Sequence, residues 1–97
     1  MNISNVFPLR SFLFLSPVTA QTEINGIVTP SGKPYPNVGQ ILKIGKEANH
    51  KLQVGQKVFF KSEDKESVAI GNEVYYFVDS NKVIGKVDEG GTSGKAV

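Results

Sequence analysis

Apolar residues in this chain come in short runs that stop at glycine or at a cluster of Asp, Ser and Asn, with no sustained helical period. Ile41, Leu42 and Ile44 end at Gly45. Val58, Phe59 and Phe60 follow Gly55, and Val68, Ala69 and Ile70 end at Gly71. Val74, Tyr75, Tyr76, Phe77 and Val78 end at Asp79, Ser80 and Asn81. Such runs between turn residues read as strands. Phe12, Leu13, Phe14 and Leu15, closed by Pro17, form an earlier strand, and residues 82–87 a last one. Short strands at intervals of about 8–12 residues predict an all-β subunit, a small antiparallel barrel or sandwich.

Alternation sorts the faces. Val58 and Phe60 share one side of their strand, opposite Lys57, Phe59 and Lys61; Val74, Tyr76 and Val78 likewise oppose Tyr75 and Phe77. Apolar residues therefore stand on both faces, whereas a closed barrel turns only one face inward. Phe59, or Tyr75 with Phe77, then requires cover from a loop, a terminus or another subunit. Singly exposed aromatics are otherwise ordinary. Gly55, just before the Val58 strand, fits a turn that needs a positive φ.

One stretch breaks the pattern. Residues 17–37 contain Pro17, Gly26, Pro30, Gly32, Pro34 and Pro36 with Ser, Thr and Asn between them, the composition of a long irregular loop. Long loops in small domains are mostly functional, so the apolar pair Ile27 and Val28 at its middle is a candidate contact with another molecule. Residues 88–97, polar and glycine-rich, read as a flexible tail. The 97 residues make one domain over 1–87, with a loop expected to be mobile over about 18–37.

Composition removes most chemistry. There is no Cys and His50 stands alone, which argues against a zinc site. Eleven basic and nine acidic residues leave a net charge of +2, too little to grip phosphates. Lysines between 43 and 65 surround Phe59 and Phe60, as in a single-strand nucleic-acid module, but Glu47, Glu63, Asp64 and Glu66 cancel most of their field. His50 and the carboxylates of residues 63–66 look like polar turns, and the glycines lack the spacing of a phosphate loop. No catalytic, cofactor or metal site is expected, and no enzyme. Arg10, the apolar run 12–15 and Ala20 have the order of a secretory signal, which would make the chain an exported β-barrel binding protein. Four consecutive apolar residues nevertheless fall short of the roughly 7–15 that a signal needs. No stretch approaches transmembrane length.

Five segments in order resemble the ten-kilodalton co-chaperonins of the GroES type. Pro8, Leu9 and Arg10 with strand 12–15 look like the family's opening. Gly26, Ile27, Val28, Thr29 and Pro30 look like its mobile-loop signature, Gly-Ile-(Val/Met)-Leu-Pro. Residues 39–45 are similar to Gly-x-Val-(Leu/Val)-x-Val-Gly, residues 54–60 to Val-Gly-Asp-x-Val-x-Phe, and residues 83–86 to Ile-Leu-Gly-Lys. The chain departs from the family in two places. Residues 46–54 are too few for the roof hairpin that many members insert there, which implies a dome open at its apex. Thr29 replaces a larger aliphatic residue. Such trimming suits a phage-encoded or otherwise divergent member.

The resemblance implies a small GroES-like antiparallel β-barrel with a long mobile loop, acting as a cytoplasmic lid without a cofactor. Subunits would form a homo-oligomer, a heptameric ring, capping a large GroEL-type chaperonin in a nucleotide-dependent way and enclosing client proteins. Neither nucleic acid nor membrane would be a partner. Gly26, Ile27, Val28, Thr29 and Pro30 would bind the chaperonin. Ile3, Val6 and Leu9 of one subunit would meet Val83, Ile84 and Val87 of the next, through pairing of residues 2–9 with residues 83–87.

Overall fold

The computed structural model describes the backbone of residues 2–24 and 27–87, and the side chains of residues 2–19 and 34–87. Six strands make one antiparallel sheet: β1 (Phe12–Ile24), β2 (Ile27–Ile44), β3 (Lys57–Phe60), β4 (Glu66–Ile70), β5 (Glu73–Asp79) and β6 (Val83–Val87), in the spatial order β4-β5-β1-β2-β3-β6. Gly71, with φ +65°, turns β4 into β5. The positive φ expected of Gly55 is also present, at +98°. Its N–H donates to the carbonyl of Ile41 and the carbonyl of Gln56 accepts from the N–H of Ile41, both at 2.8 Å, so this turn is strapped to β2 just before β3 begins.

Leu13, Phe14 and Leu15 are fully buried, which accounts for four apolar residues in succession on β1. Leu13 and Leu15 join Ile41, Leu52, Val58, Phe60, Tyr76 and Val78 in the main core, so the alternation read from β3 and from Tyr76 and Val78 holds. Phe14 faces the other way. It packs against Tyr75 and Phe77, each 5.1 Å away between ring centroids, and these two aromatics supply cover for the second face. Val74 departs from the expected inward set and is exposed, near the turn that opens β5. The run once open to reading as a signal is the centre of the sheet; cleavage after Ala20 would remove three fully buried side chains.

The expected barrel does not form. The sheet is open: β4 and β6 are its ends, and among the described residues they do not pair with each other. Across its inner face the rings of Tyr76 on β5 and Phe60 on β3 reach over the two strands between them and meet edge to face, with centroids 6.2 Å apart. Closure lacks a driving force at β4, where only Ile70 is buried and Glu66, Ser67 and Ala69 face solvent.

The irregular loop expected over residues 17–37 is also corrected. β1 runs through to Ile24 and β2 starts at Ile27, the two paired as a hairpin. Prolines are accommodated because the register shifts between Pro17 and Thr19 and again between Thr19 and Gln21. Beyond Val38 the outer edge of β2 has no further strand to bond among the described residues, and on an edge a missing N–H costs little.

Where β1 begins, the chain turns sharply at Arg10, whose φ is +54°. Three successive carbonyls of this turn bind distant segments: Arg10 accepts from the N–H of Glu47, Ser11 from that of Ser80 and Phe12 from that of Gly45, each at 2.8 Å. Gly45 is required by proximity, since a Cβ there would lie 2.4 Å from the Arg10 carbonyl oxygen and 2.7 Å from that of Phe12. Asp79 fixes the same corner, accepting from the backbone N–H of Asn81 and from the Ser11 hydroxyl, both at 2.9 Å.

Two outcomes follow. Gly45→Ala should lower the unfolding free energy by about 1–3 kcal/mol, because backbone rather than a movable side chain must yield; a denaturant titration reads it. The Asp79 carboxyl is held below its usual range, chiefly by the Asn81 N–H. A depressed folded-state pKa contributes stability above the unfolded-state value, and that contribution is lost as the pH falls through the folded-state value. Asp79→Asn should therefore flatten the acid limb of a stability-against-pH curve below about pH 4 and leave its slope unchanged near neutrality.

Candidate functional site

Two features project from this sheet. The first is the distal half of the β1–β2 hairpin. Pairing of β1 with β5 ends at Leu15 and pairing of β2 with β3 ends at Val38, so beyond these points, among the described residues, the two strands pair only with each other. The ladder continues through Thr19 with Pro34, Gln21 with Pro30, Thr22 with Thr29, Glu23 with Val28 and Ile24 with Ile27. Four of the five expected chaperonin-binding residues, Ile27, Val28, Thr29 and Pro30, thus open β2 at the far end of this arm. Gly26 lies outside the described residues. At the base of the arm, Val18, Tyr35, Val38, Phe59 and Val87 line a groove of about 510 Å³.

The second feature is a pair of unpartnered segments. β6 bonds to β3 along one edge, and its other edge has no strand among the described residues. Val83 packs on the core, Val87 is half-buried, and Ile84 is 68% exposed. Residues 2–9 join no strand of the sheet. The expected continuous strand there is interrupted: Ile3–Asn5 form a single 3-10 turn, capped by the Asn2 side chain, which accepts from the N–H of Ser4 at 3.0 Å. Extended backbone resumes at Val6. Phe7 and Leu9 are 67% and 71% exposed, while Pro8 between them is buried. With Phe12 and Phe77 they wall a groove of about 420 Å³, flanked by Arg10 and Glu66. The structure keeps Ile3, Val6 and Leu9 on one unpaired segment and Val83, Ile84 and Val87 on one free edge.

One residue escaped the sequence reading. Lys43 stands opposite Phe14 in the β1–β2 ladder and reads as one of several solvated lysines. Its ammonium instead donates to the carbonyls of Ile3 and of Val6, the latter at 2.6 Å, and lies 4.2 Å from the centroid of the Phe7 ring. Only the interruption of an apolar run by a single lysine hinted at this.

Other candidate chemistry stays dispersed. His50 is exposed, and Glu63 and Asp64 sit on a solvated 3-10 turn, Ser62–Asp64. Among the described residues no group of three His, Cys, Asp or Glu side chains is placed to hold a metal ion, and no helix is long and apolar enough to cross a membrane.

Comparison with known proteins accounts for the whole arrangement. The family model of the chaperonin 10 Kd subunit matches residues 7–87. The co-chaperonin GroES of Petrotoga mobilis is 32% identical over 87 residues, spanning 87% of this chain and 98% of that protein. The corresponding proteins of Thermotoga neapolitana and Kosmotoga olearia are each 30% identical, again across 87% of this chain and 97% and 98% of theirs. Similarity along nearly the entire length displaces both rival readings, the exported binding protein and the nucleic-acid module. The chain belongs to the chaperonin 10 Kd subunit family: it is a GroES-type co-chaperonin, a lid for a GroEL-type chaperonin and not an enzyme.

Proposed function

We propose that the β1–β2 arm is the docking element of this lid, with Gly26, Ile27, Val28, Thr29 and Pro30 engaging the apical domains of the large chaperonin. The observation that carries this reading is the arm itself. It leaves the sheet, pairs with no other strand among the described residues, and ends where the sequence is similar to the family's loop signature. A two-stranded hairpin is marginally stable in water, so the arm can loosen and reshape on a partner while the sheet stays intact.

Burying Ile27 and Val28 contributes roughly 1.5–3 kcal/mol each. Ordering the residues around them costs about 1–2 kcal/mol apiece, which leaves a single arm with little net affinity. A rigid ring of arms changes the outcome, because every docking after the first is intramolecular and gains roughly 10²–10⁴ in avidity. Weak individual contacts also allow release when the partner's nucleotide cycle alters its apical domains. The ring is heptameric and cytoplasmic in this reading, and client proteins fold beneath it. Its subunits join through β6 of one copy and residues 6–9 of the next, with Ile84 seated in the groove walled by Phe7, Leu9, Phe12 and Phe77. This contact satisfies two otherwise bare backbone edges.

Four outcomes are expected. Amide exchange should be fast at Thr22 and Val28 and slow at Leu13 and Leu15; equal protection along β1 would argue against a docking arm. Ile27→Ser with Val28→Ser should leave folding and oligomer mass unchanged and reduce nucleotide-dependent binding to the large chaperonin at least a hundredfold, the order expected when avidity is lost. Retained binding would remove the arm as the recognition element, and Thr29→Leu should tighten the complex by adding apolar area. Ile84→Asp should release monomers in native mass measurements, because it places a charge in the contact.

A further inference from the structure

The 3-10 turn at Ile3–Asn5 precedes residues 7–87, the part of the chain that the family model matches. What holds this turn is Lys43, at a position where the family's strand pattern over residues 39–45 specifies no residue. A strand lysine ordinarily extends into solvent and interacts weakly. Here the ammonium is partly buried and donates to the two carbonyls that bracket the turn, Ile3 and Val6, under the ring of Phe7. Charge-assisted bonds of this kind are the stronger class of hydrogen bond, and the aromatic face adds a cation–π contact. The next residues along the chain present the exposed side chains of Phe7 and Leu9.

We infer that Lys43 is a positioning residue for assembly: it pins the N-terminal turn to its own subunit's β2 and so holds residues 7–9 ready for the β6 edge of a second copy of this chain. The inference rests on the ring contact proposed above. Two consequences are built into the geometry. With the Val6 N–H committed to the Ile3 carbonyl and the Val6 carbonyl already accepting from Lys43, backbone pairing with the second copy starts after Val6, which sets its register. With the turn pinned, the segment does not have to be ordered anew at every contact, and association is not weakened by the fraction of time the segment spends elsewhere.

The test compares the parent chain with Lys43→Met, which keeps the aliphatic stem but has no donor, and with Lys43→Arg, which restores donors. Amide exchange at Asn5 and Val6, whose N–H groups close the turn, reports the pin. Native mass against protein concentration reports assembly. Lys43→Met should speed exchange at Asn5 and Val6 and raise the concentration at which the oligomer dissociates about tenfold, as expected if the ready conformer falls to a tenth. Lys43→Arg should recover most of both, and exchange at Leu13 and Leu15 should not change. Unaltered exchange at Asn5 and Val6 in Lys43→Met, or faster exchange with unaltered dissociation, overturns the inference. Should Lys43→Met lose protection at Leu13 and Leu15, removal of residues 1–4 takes its place. It deletes the pinned turn, should weaken assembly to the same degree and should make Lys43→Arg silent; normal assembly after that removal also overturns the inference. Ile84→Asp separates the two levels: an oligomer that survives it refutes the ring contact, whatever Lys43 does to exchange.

Discussion

The structure depends on burying β1 from both sides. Leu13 and Leu15 point into the main core and Phe14 points out of it, and all three are inaccessible to water. A strand buried on one face needs one partner layer; this one needs two. Tyr75 and Phe77 of the neighbouring strand supply the second, and that fixes β5 beside β1 in a register where Phe14 stands across from Phe77. The remaining strands follow, because Leu15 also stands across from Ile41 and thereby sets β2, whose Gly39 leaves room for the Leu15 side chain. The start of β1 is then tied by backbone bonds at the Arg10 turn.

Lysines do unusual structural duty around this framework. Lys43 holds the N-terminal turn, Lys65 donates to the carbonyl of Pro36 at 2.8 Å beneath the Tyr76 ring, and Lys86 donates to the carbonyl of Lys51 at 3.1 Å. Each bridges segments about thirty to forty positions apart. In a small protein without disulfides, these contacts tie irregular segments to the sheet, and their strength depends on how far water is excluded from each.

Much of the sheet was legible in the sequence because its strands carry their own punctuation. The ends of β4 and β5 follow from apolar runs that stop at Gly71 and at Asp79, and the inward face of β3 from strict alternation. The proposed docking pair, Ile27 and Val28, stood out by its place in a Pro- and Gly-rich stretch, whereas the proposed ring contact at Ile84 rested on resemblance alone, since its local pattern names no partner. What could not be read was set by contacts between distant segments. The strand character of residues 17–24 and 27–37 arises from pairing across the hairpin and overrides local proline content. Strand count and spacing are the same for an open sheet and a closed one, so barrel closure could not be decided from them. The turn at Ile3–Asn5 and the hold of Lys43 on it involve residues about forty positions apart, and a lone lysine within an apolar run was their one local trace.

The prolines of the arm have a further effect. An arm ending in an apolar pair, with open strand edges on both sides, is the kind of element that recruits other strands and seeds aggregates. Pro30, Pro34 and Pro36 remove three N–H groups from β2, so a foreign strand laid along that edge meets a ladder with gaps in it. The same residues that make the segment look unfit for a sheet therefore make its backbone a poor template for a partner that needs a continuous ladder.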